Sequence, residues 1–236
     1  MEDDQASASQ AKKPGLFKRL LDSRFVWDHI AGPYYNARIG VAAGLHEEFL
    51  RAVGAQGGAR VLDVGCGPGH ATIRLARETP SAAVVGVDFS AKQIAAARRL
   101  MAAEALANCR FLEADAMDLP FEDGSFDVVM SLASLKHWPD KERGLREIHR
   151  VLTRGGYAVV AEADSEARAD DIDRFSRLFI GRTIFEGVIR RFLRQVVVRE
   201  SLTRAAAAAA AEAAGFREIS AAGIPGWPVF LLRLRP

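Results

Sequence analysis

The chain of 236 residues has little cysteine and no long apolar run. Its two cysteines, Cys66 and Cys109, form no CxxC pair and no Cys/His cluster with zinc spacing, which favours a reducing compartment and no structural metal. No apolar stretch reaches the roughly 18 residues that a membrane span needs. The polar N-terminal segment, MEDDQASASQAKK, has no apolar stretch of the kind found in secretory signals. These absences predict a cytoplasmic protein.

The chain also lacks a strong excess of charge. Its formal net charge is +2, whereas a protein that binds nucleic acid mainly through phosphates usually carries a marked basic excess. We therefore expect a small-molecule partner and no nucleic acid.

The order of patterns predicts one α/β domain behind a short disordered N-terminus. Residues 1–14 show no periodicity, and helical segments follow over 15–55. From 60 to 162, apolar strands alternate with amphipathic helices, which is typical of a parallel sheet covered on both faces. An alanine-rich helix and two strand-like runs, FREISAA and VFLLRL, complete the chain over 204–236.

Residues 165–203 predict an inserted helical segment rich in arginine and large apolar side chains. One interpretation is a helix that lies on a membrane surface. The other is a lid whose apolar face covers the substrate while its arginines face water. We favour the lid, because acids are interspersed and the net charge is small.

The stretch VLDVGCGPGH, residues 61–70, predicts a strand followed by a ligand-binding turn. Its glycines, Gly65, Gly67 and Gly69, give the spacing GxGxG. A dinucleotide-binding loop has GxGxxG, and His70 stands where its last glycine would be. The GxxxxGK[ST] pattern of phosphate-binding loops is absent. The spacing therefore disfavours an NAD enzyme.

Two acids lie where the next strands are predicted to end. Asp88 follows AVVGV and can accept hydrogen bonds from both hydroxyls of a ribose. Asp115 is expected to end the third strand, where it can bond an adenine amino group. The carboxyl ends of parallel strands share one edge of the sheet, so both acids are expected beside the glycine turn.

The ordered set of motifs resembles class I S-adenosylmethionine-dependent methyltransferases. It comprises DVGCGPG, the strand-end Asp88, DAMDLPF, FDVV, HWPD and LTRGG, between about residues 60 and 162. The segment FVWDHIAGPYYNA is similar to the N-terminal part of quinone-biosynthesis and related small-molecule methyltransferases. The resemblance implies a Rossmann-like, seven-stranded, mostly parallel sheet whose last strand is antiparallel, with helices on both faces.

The resemblance also implies which residues bind S-adenosylmethionine and its product S-adenosylhomocysteine. The glycines would border the methionine part, Asp88 would take the ribose hydroxyls, and Phe89 would lie against adenine. Ser131 would lie by the sulfonium, and Tyr34 would close over the methionine carboxylate. The full implied set is Tyr34, Asp63, Gly65, Gly67, Gly69, Asp88, Phe89, Asp115, Ala116 and Ser131.

The acceptor side departs from the family pattern. Two histidines often follow the fourth strand in the family, and here Lys136 precedes His137. We interpret His137 either as a general base or substrate ligand, or as a residue that fixes its loop. Lys136 either binds an anionic group of the substrate or lowers the pKa of a nucleophile, or it faces solvent. The family's Pro-Gly-Gly turn is replaced by Arg154-Gly155-Gly156, which we still expect to form a turn.

We therefore predict a methyltransferase that acts on a small, largely apolar acceptor, such as a natural product or a quinone- or lipid-like molecule. His137 and Lys136 are the candidate catalytic residues. The Asn/Asp-Pro-Pro-Tyr motif of nucleic-acid amino-methylating enzymes is absent after the fourth strand. The alternative is a regulatory module that binds S-adenosylmethionine without turnover.

Overall fold

The computed structural model describes residues 43–180 and 201–236. Its first part alternates helices and strands: α1 (Ala43–Val53), β1 (Arg60–Val64), α2 (His70–Glu78), β2 (Ala83–Asp88), α3 (Ala91–Glu104), β3 (Cys109–Glu113) and β4 (Phe126–Leu132). A 3-10 turn (Leu135–His137), α4 (Lys141–Val151), β5 (Leu152–Ala163), α5 (Ala169–Ile180), α6 (Arg204–Ala213), β6 (Glu218–Gly223) and β7 (Val229–Arg235) follow.

The seven strands form one sheet in the order β3-β2-β1-β4-β5-β7-β6. Strands β1 to β5 are parallel, whereas β7 runs antiparallel to both β5 and β6. This confirms the predicted Rossmann-like fold. The chain moves outward from β1 through β2 to β3, and then returns to place β4 on the other side of β1. The crevice between the carboxyl ends of β1 and β4 is therefore the switch point at which ligands bind in such sheets.

Both faces of the sheet are covered, as the near-continuous apolar strands predict. On one face, α1, α2 and α3 contact the sheet through side chains such as Phe49, Ile73 and Ile94. On the other face, α4 and α6 contribute Ile148 and Ala211. The side chain of Ser90 accepts a hydrogen bond from Gln93 N at 3.2 Å and so caps the N-terminus of α3.

One predicted turn takes a different form. Arg154-Gly155-Gly156 lies inside β5, which starts at Leu152. Leu152 pairs with Phe126 and Tyr157 pairs with Val128, so the four residues 153–156 of β5 lie opposite Asp127 alone. The prediction of a separate turn before the fifth strand is wrong, because the glycines form a bulge within a longer strand.

The arginine-rich segment is described only in part. Helix α5 covers its beginning and packs Ile172 and Ser176 inward. The rest of the predicted lid, residues 181–200, and the predicted N-terminal helical segments up to residue 42 lie outside the described residues. Within the described ranges, no helix combines the length and the apolar composition that crossing a membrane would require.

Candidate functional site

A cavity of about 250 Å³ opens at the switch point of the sheet. Loops that follow β1, β2, β3 and β4 each contribute to its wall, and α1 and α2 complete it. Most of the lining is apolar, with polar groups concentrated at a few positions. The lining includes His46, Asp63, Gly65, Gly67, His70, Asp88, Phe89, Asp115, Ala116 and His137.

The glycine loop is held tightly against β2. The backbone N–H groups of Gly65 and Cys66 both donate to Val87 O, at 2.8 and 2.9 Å. Gly65 has φ +75°, and a Cβ at this position would overlap the Ser134 side chain. Only glycine combines this left-handed backbone with so close a neighbour.

Gly69 is needed for a different reason. Its φ is +82°, and a Cβ there would lie 2.6 Å from the Phe111 ring. Gly65 and Gly67 line the cavity, whereas Gly69 does not. The structure therefore places Gly69 as a packing residue that lets α2 start close to the sheet.

Asp88 links the loop to the strand end. Its Oδ2 accepts from Gly67 N and its Oδ1 from Ser90 N, both at 2.9 Å. The carboxylate is 8% exposed and lines the cavity. A carboxylate offers about four acceptor sites, which suits the recognition of two neighbouring hydroxyl groups. The side chain is thus buried, oriented by the backbone and directed to the cavity.

Asp63 is a second buried acid in the wall, only 2% exposed. Thr72 Oγ1 donates to its Oδ2 at 2.6 Å. The pKa of Asp63 is raised to about 7. Burial is the main cause, the hydrogen bond from Thr72 opposes it, and the nearby Asp88 adds to it. Asp63 therefore orients the start of α2 from the floor of the cavity.

The residues predicted to contact adenine lie together on one wall. Phe89 is 36% exposed and lines the cavity, as do Asp115 and Ala116. Asp115 lies two residues beyond Glu113, so the expectation that it ends the third strand is wrong. Its Oδ1 accepts from Met117 N at 2.9 Å, which stabilises the turn in which Ala116 meets the cavity.

One predicted cofactor residue, Ser131, does not line the cavity. Ser131 is fully buried in β4, and its Oγ donates to Val64 O at 2.8 Å, which ties β4 to β1. The cavity side of that strand end is formed instead by Leu132, Ala133 and Ser134. Tyr34 lies outside the described residues.

Of the two candidate catalytic residues, which are adjacent in the 3-10 turn, only His137 lines the cavity. His137 lines the cavity, and its backbone N–H donates to Ser134 O at 2.9 Å. The Lys136 side chain is 16% exposed and its Nζ lies 3.8 Å from Glu162 Oε1. Lys136 does not line the cavity. The interpretation of Lys136 as a solvent-facing lysine is therefore wrong.

Comparisons with known proteins agree with this geometry. A family described as a methyltransferase domain matches residues 61–156. A demethylmenaquinone methyltransferase from Thermus thermophilus is 45% identical over 103 residues, which cover 44% of this chain and 46% of the relative. A solved S-adenosylmethionine-dependent methyltransferase from Aquifex aeolicus matches with a TM-score of 0.63 at 17% identity, over 92% of this chain and 96% of that one. Residues 61–156 of this chain therefore resemble a methyltransferase domain.

The similarity to curated proteins covers only part of this chain, 44% for the Thermus thermophilus relative. The chain spans about half the length of the curated relatives it matches. A solved phosphoethanolamine N-methyltransferase 2 from Haemonchus contortus, in complex with S-adenosyl-L-methionine, matches with a TM-score of 0.66 at 21% identity. That match covers 85% of this chain and 46% of the other. At such identities the likeness to solved structures shows the fold.

The methyltransferase domain and helix α1 also bring two histidines to the cavity that the sequence did not single out as site residues. His46 lies on α1 and is 6% exposed, and His70 starts α2. The pKa of His46 is lowered to about 4, mainly by burial and to a smaller extent by the neighbouring charges of His70 and Arg74. Burial also lowers the pKa of His70. Periodicity could predict that His46 is buried, but not which cavity it meets.

Three histidines thus line one cavity of the methyltransferase domain, namely His46, His70 and His137. Among the residues that the structure places, no group of three or more His, Cys, Asp or Glu side chains is arranged to hold a metal ion.

We expect the buried His46 to make the protein less stable in acid. Its pKa is about 4 when folded and 6.5 when unfolded, so the unfolded chain binds more protons between these values. The free energy of unfolding therefore falls as pH falls through this window, by at most about 1.4 kcal/mol per pH unit. His46→Gln has no group that titrates here, so its free energy of unfolding relative to the parent should improve by about 2 kcal/mol from pH 7 to pH 5.

Urea unfolding of both proteins at the two pH values measures this effect. The comparison is between variant and parent because the raised pKa of Asp63 gives a slope of opposite sign. That contribution is common to both proteins and largely cancels. An equal difference in unfolding free energy at pH 7 and pH 5 would show that His46 titrates normally in the folded protein.

Proposed function

We propose that this protein transfers a methyl group from S-adenosylmethionine to a small, largely apolar acceptor. The observation that carries the proposal is the buried carboxylate of Asp88, held by Gly67 N and Ser90 N in the wall of a cavity at the switch point. The cofactor, when bound, supplies an activated methyl group on a sulfonium centre. The protein supplies binding, alignment and the exclusion of water.

The residues around the cavity fit this cofactor. We propose that Asp88 accepts the ribose hydroxyls, that Phe89 covers one face of adenine, and that Asp115 and Ala116 meet its edge. Gly65 and Gly67 let the backbone approach the methionine part. The absence of a Cβ at Gly65 and the partial exposure of Phe89 within the wall both support this placement.

The acceptor is proposed to enter between the 3-10 turn and the loop after β3. Met117, Leu132 and Ala133 contribute apolar surface to this side of the cavity, and His137 contributes an ionisable group. The Thermus thermophilus relative is named for demethylmenaquinone. We therefore propose a ring compound of the quinone class, in its hydroxyl-bearing form, as the acceptor. His137 would take the acceptor's proton as the methyl group is transferred.

Replacing Asp88 by asparagine is expected to weaken S-adenosylhomocysteine binding about 100-fold. A hydrogen bond to a charged group contributes about 1.5–3 kcal/mol, and the change removes the charge that two ribose hydroxyls would share. Titration calorimetry of both proteins at pH 7.5 measures the loss. The matched control is Glu113→Gln, an acid in register with Asp88 on the neighbouring strand that does not line the cavity.

This experiment also tests the proposed function. If the parent protein does not bind S-adenosylmethionine or S-adenosylhomocysteine, the proposal is wrong. Equal affinities in Asp88→Asn and Glu113→Gln would show that Asp88 is not the ribose ligand. Binding without methyl transfer to demethylmenaquinone or to a broad panel of phenols, enols and amines would favour a regulatory binding module.

A further inference from the structure

A fully buried carboxylate lies directly behind the acceptor side of the cavity. Glu162 is near the end of β5, is 0% exposed and does not line the cavity. Its neighbours along the strand are apolar and buried, from Ala158 to Ala161. Removing an ionised carboxylate from water costs several kcal/mol, so sheet packing alone gives no reason for an acid at this position.

The contacts of Glu162 show what the carboxylate does. Its Oε2 accepts from Lys136 N at 3.0 Å, and its Oε1 accepts from Ala163 N at 2.8 Å. Lys136 Nζ lies 3.8 Å from Oε1. One side chain of β5 therefore binds both the backbone and the side chain of the residue that precedes His137. Charge-assisted hydrogen bonds of this kind are stronger than neutral ones.

The segment that Glu162 holds has an unusual backbone. Ala133 follows β4 with φ +55°, a left-handed conformation that is costly for a residue with a Cβ. Its N–H donates to Ala161 O at 2.7 Å. The Trp138 indole N–H donates to Ser134 Oγ at 2.9 Å. The turn is thus tied to the end of β5 at two successive points, Ala161 and Glu162, and is closed on itself by Trp138.

We infer that Glu162 is a positioning residue that fixes the turn so that His137 faces the acceptor side of the cavity, with Lys136 as its counter-ion. This inference rests on the proposed function and specifies how its base is held. Because the backbone N–H and the ammonium of Lys136 are both directed to Glu162, the next side chain is left to meet the cavity. Lys136 then contributes through Glu162 and does not contact the acceptor.

Glu162→Gln is the main test. The glutamine carbonyl can still accept from Lys136 N, but its amide group would face either Ala163 N–H or the lysine ammonium, which are donors. We expect the ring signals of His137 in a two-dimensional NMR spectrum to shift and broaden, and the affinity for S-adenosylhomocysteine to stay within about threefold. With demethylmenaquinone as acceptor, kcat should fall roughly tenfold, since small misplacements of a reacting group are costly, with KM little changed.

Asp164→Asn is the matched control. Asp164 is also a buried acid, 1% exposed, and its Oδ2 pairs with Arg204 Nη2 at 2.7 Å. Asp164→Asn removes the charge of this ion pair and leaves the turn untouched. We expect Asp164→Asn to lower the free energy of unfolding while the His137 signals keep their parental positions.

The outcomes separate this inference from the proposed function. Failure of the parent to bind S-adenosylhomocysteine would overturn the proposed function, whatever the NMR result. Normal binding with unmoved His137 signals in Glu162→Gln would overturn the positioning role. If Glu162→Gln does not fold, Glu162→Asp is used instead, because it keeps the charge on a side chain that is one methylene shorter. The same shift of His137 is expected there, and unmoved signals in that folded variant would equally overturn the inference.

Discussion

Replacing Gly65 by alanine is expected to abolish measurable binding of S-adenosylhomocysteine. The residue has φ +75°, and its new Cβ would overlap Ser134 Oγ and come within 2.5 Å of Ser134 Cβ. Relief of this clash requires the glycine loop to leave Val87 O or the turn after β4 to move. Both changes alter the cavity at the point where β1 and β4 end.

The expected stability loss of Gly65→Ala is about 2–6 kcal/mol, since a strained backbone conformation costs about 1–3 kcal/mol and overpacking adds about as much again. Titration calorimetry reports the binding and urea unfolding reports the stability. Because a destabilised protein can lose binding merely by unfolding, both measurements are made at a temperature where circular dichroism shows the variant to be folded.

Two further variants separate backbone strain from collision in Gly65→Ala. Gly58→Ala has the same kind of backbone, with φ +82°, but a Cβ there would meet no atom within 4 Å. It should cost some stability and leave binding intact. The double variant Gly65→Ala with Ser134→Gly removes the colliding side chain and should recover part of the affinity. If Gly65→Ala binds as the parent does, the loop does not border the ligand as proposed.

Residue order predicts the fold of this protein well, because the relevant signals are local. Strands β1 and β2 are short, mostly apolar runs; β1 is followed directly by Gly65, and β2 ends at Asp88. The fold then places the strand ends at one sheet edge, so Asp88 and Asp115 meet the same cavity. No knowledge of side-chain contacts is needed for this step, since parallel strands share their direction.

Contacts between distant segments could not be predicted in the same way. Glu162 and Lys136 are 26 residues apart, and the pattern of β5 gives no sign that its one buried acid binds the turn after β4. His46 likewise lines the cavity from α1, a helix that precedes in sequence the motifs of residues 60–162. Ser131 shows the opposite case, in which a strand-end hydroxyl expected in the site bonds to the adjacent strand instead. These outcomes depend on where side chains point, which periodicity leaves open.

Replacing His137 by glutamine is expected to lower kcat for demethylmenaquinone methylation by about 10²–10⁴-fold, the range over which a positioned general base contributes. S-Adenosylhomocysteine affinity should change less than threefold, because His137 lies on the acceptor side and the adenosine is proposed to contact the walls after β2 and β3. A loss of kcat with an unchanged cofactor Kd is the signature of a group that acts mainly in the transition state. Single-turnover rates measured with saturating S-adenosylmethionine test this directly.

Lys136→Met provides the contrast for His137→Gln. Its side chain is directed to Glu162 and away from the cavity, so it should lower kcat far less, by roughly tenfold or below, through a looser turn. The dependence of kcat on pH distinguishes loss of the base from a looser turn. Loss of the base should remove the fall in kcat at acidic pH, whereas a looser turn should lower kcat at every pH and keep the shape of the profile. Equal losses in both variants would point to positioning alone. Parental turnover in His137→Gln would show that the acceptor loses its proton to water and that His137 fixes its loop.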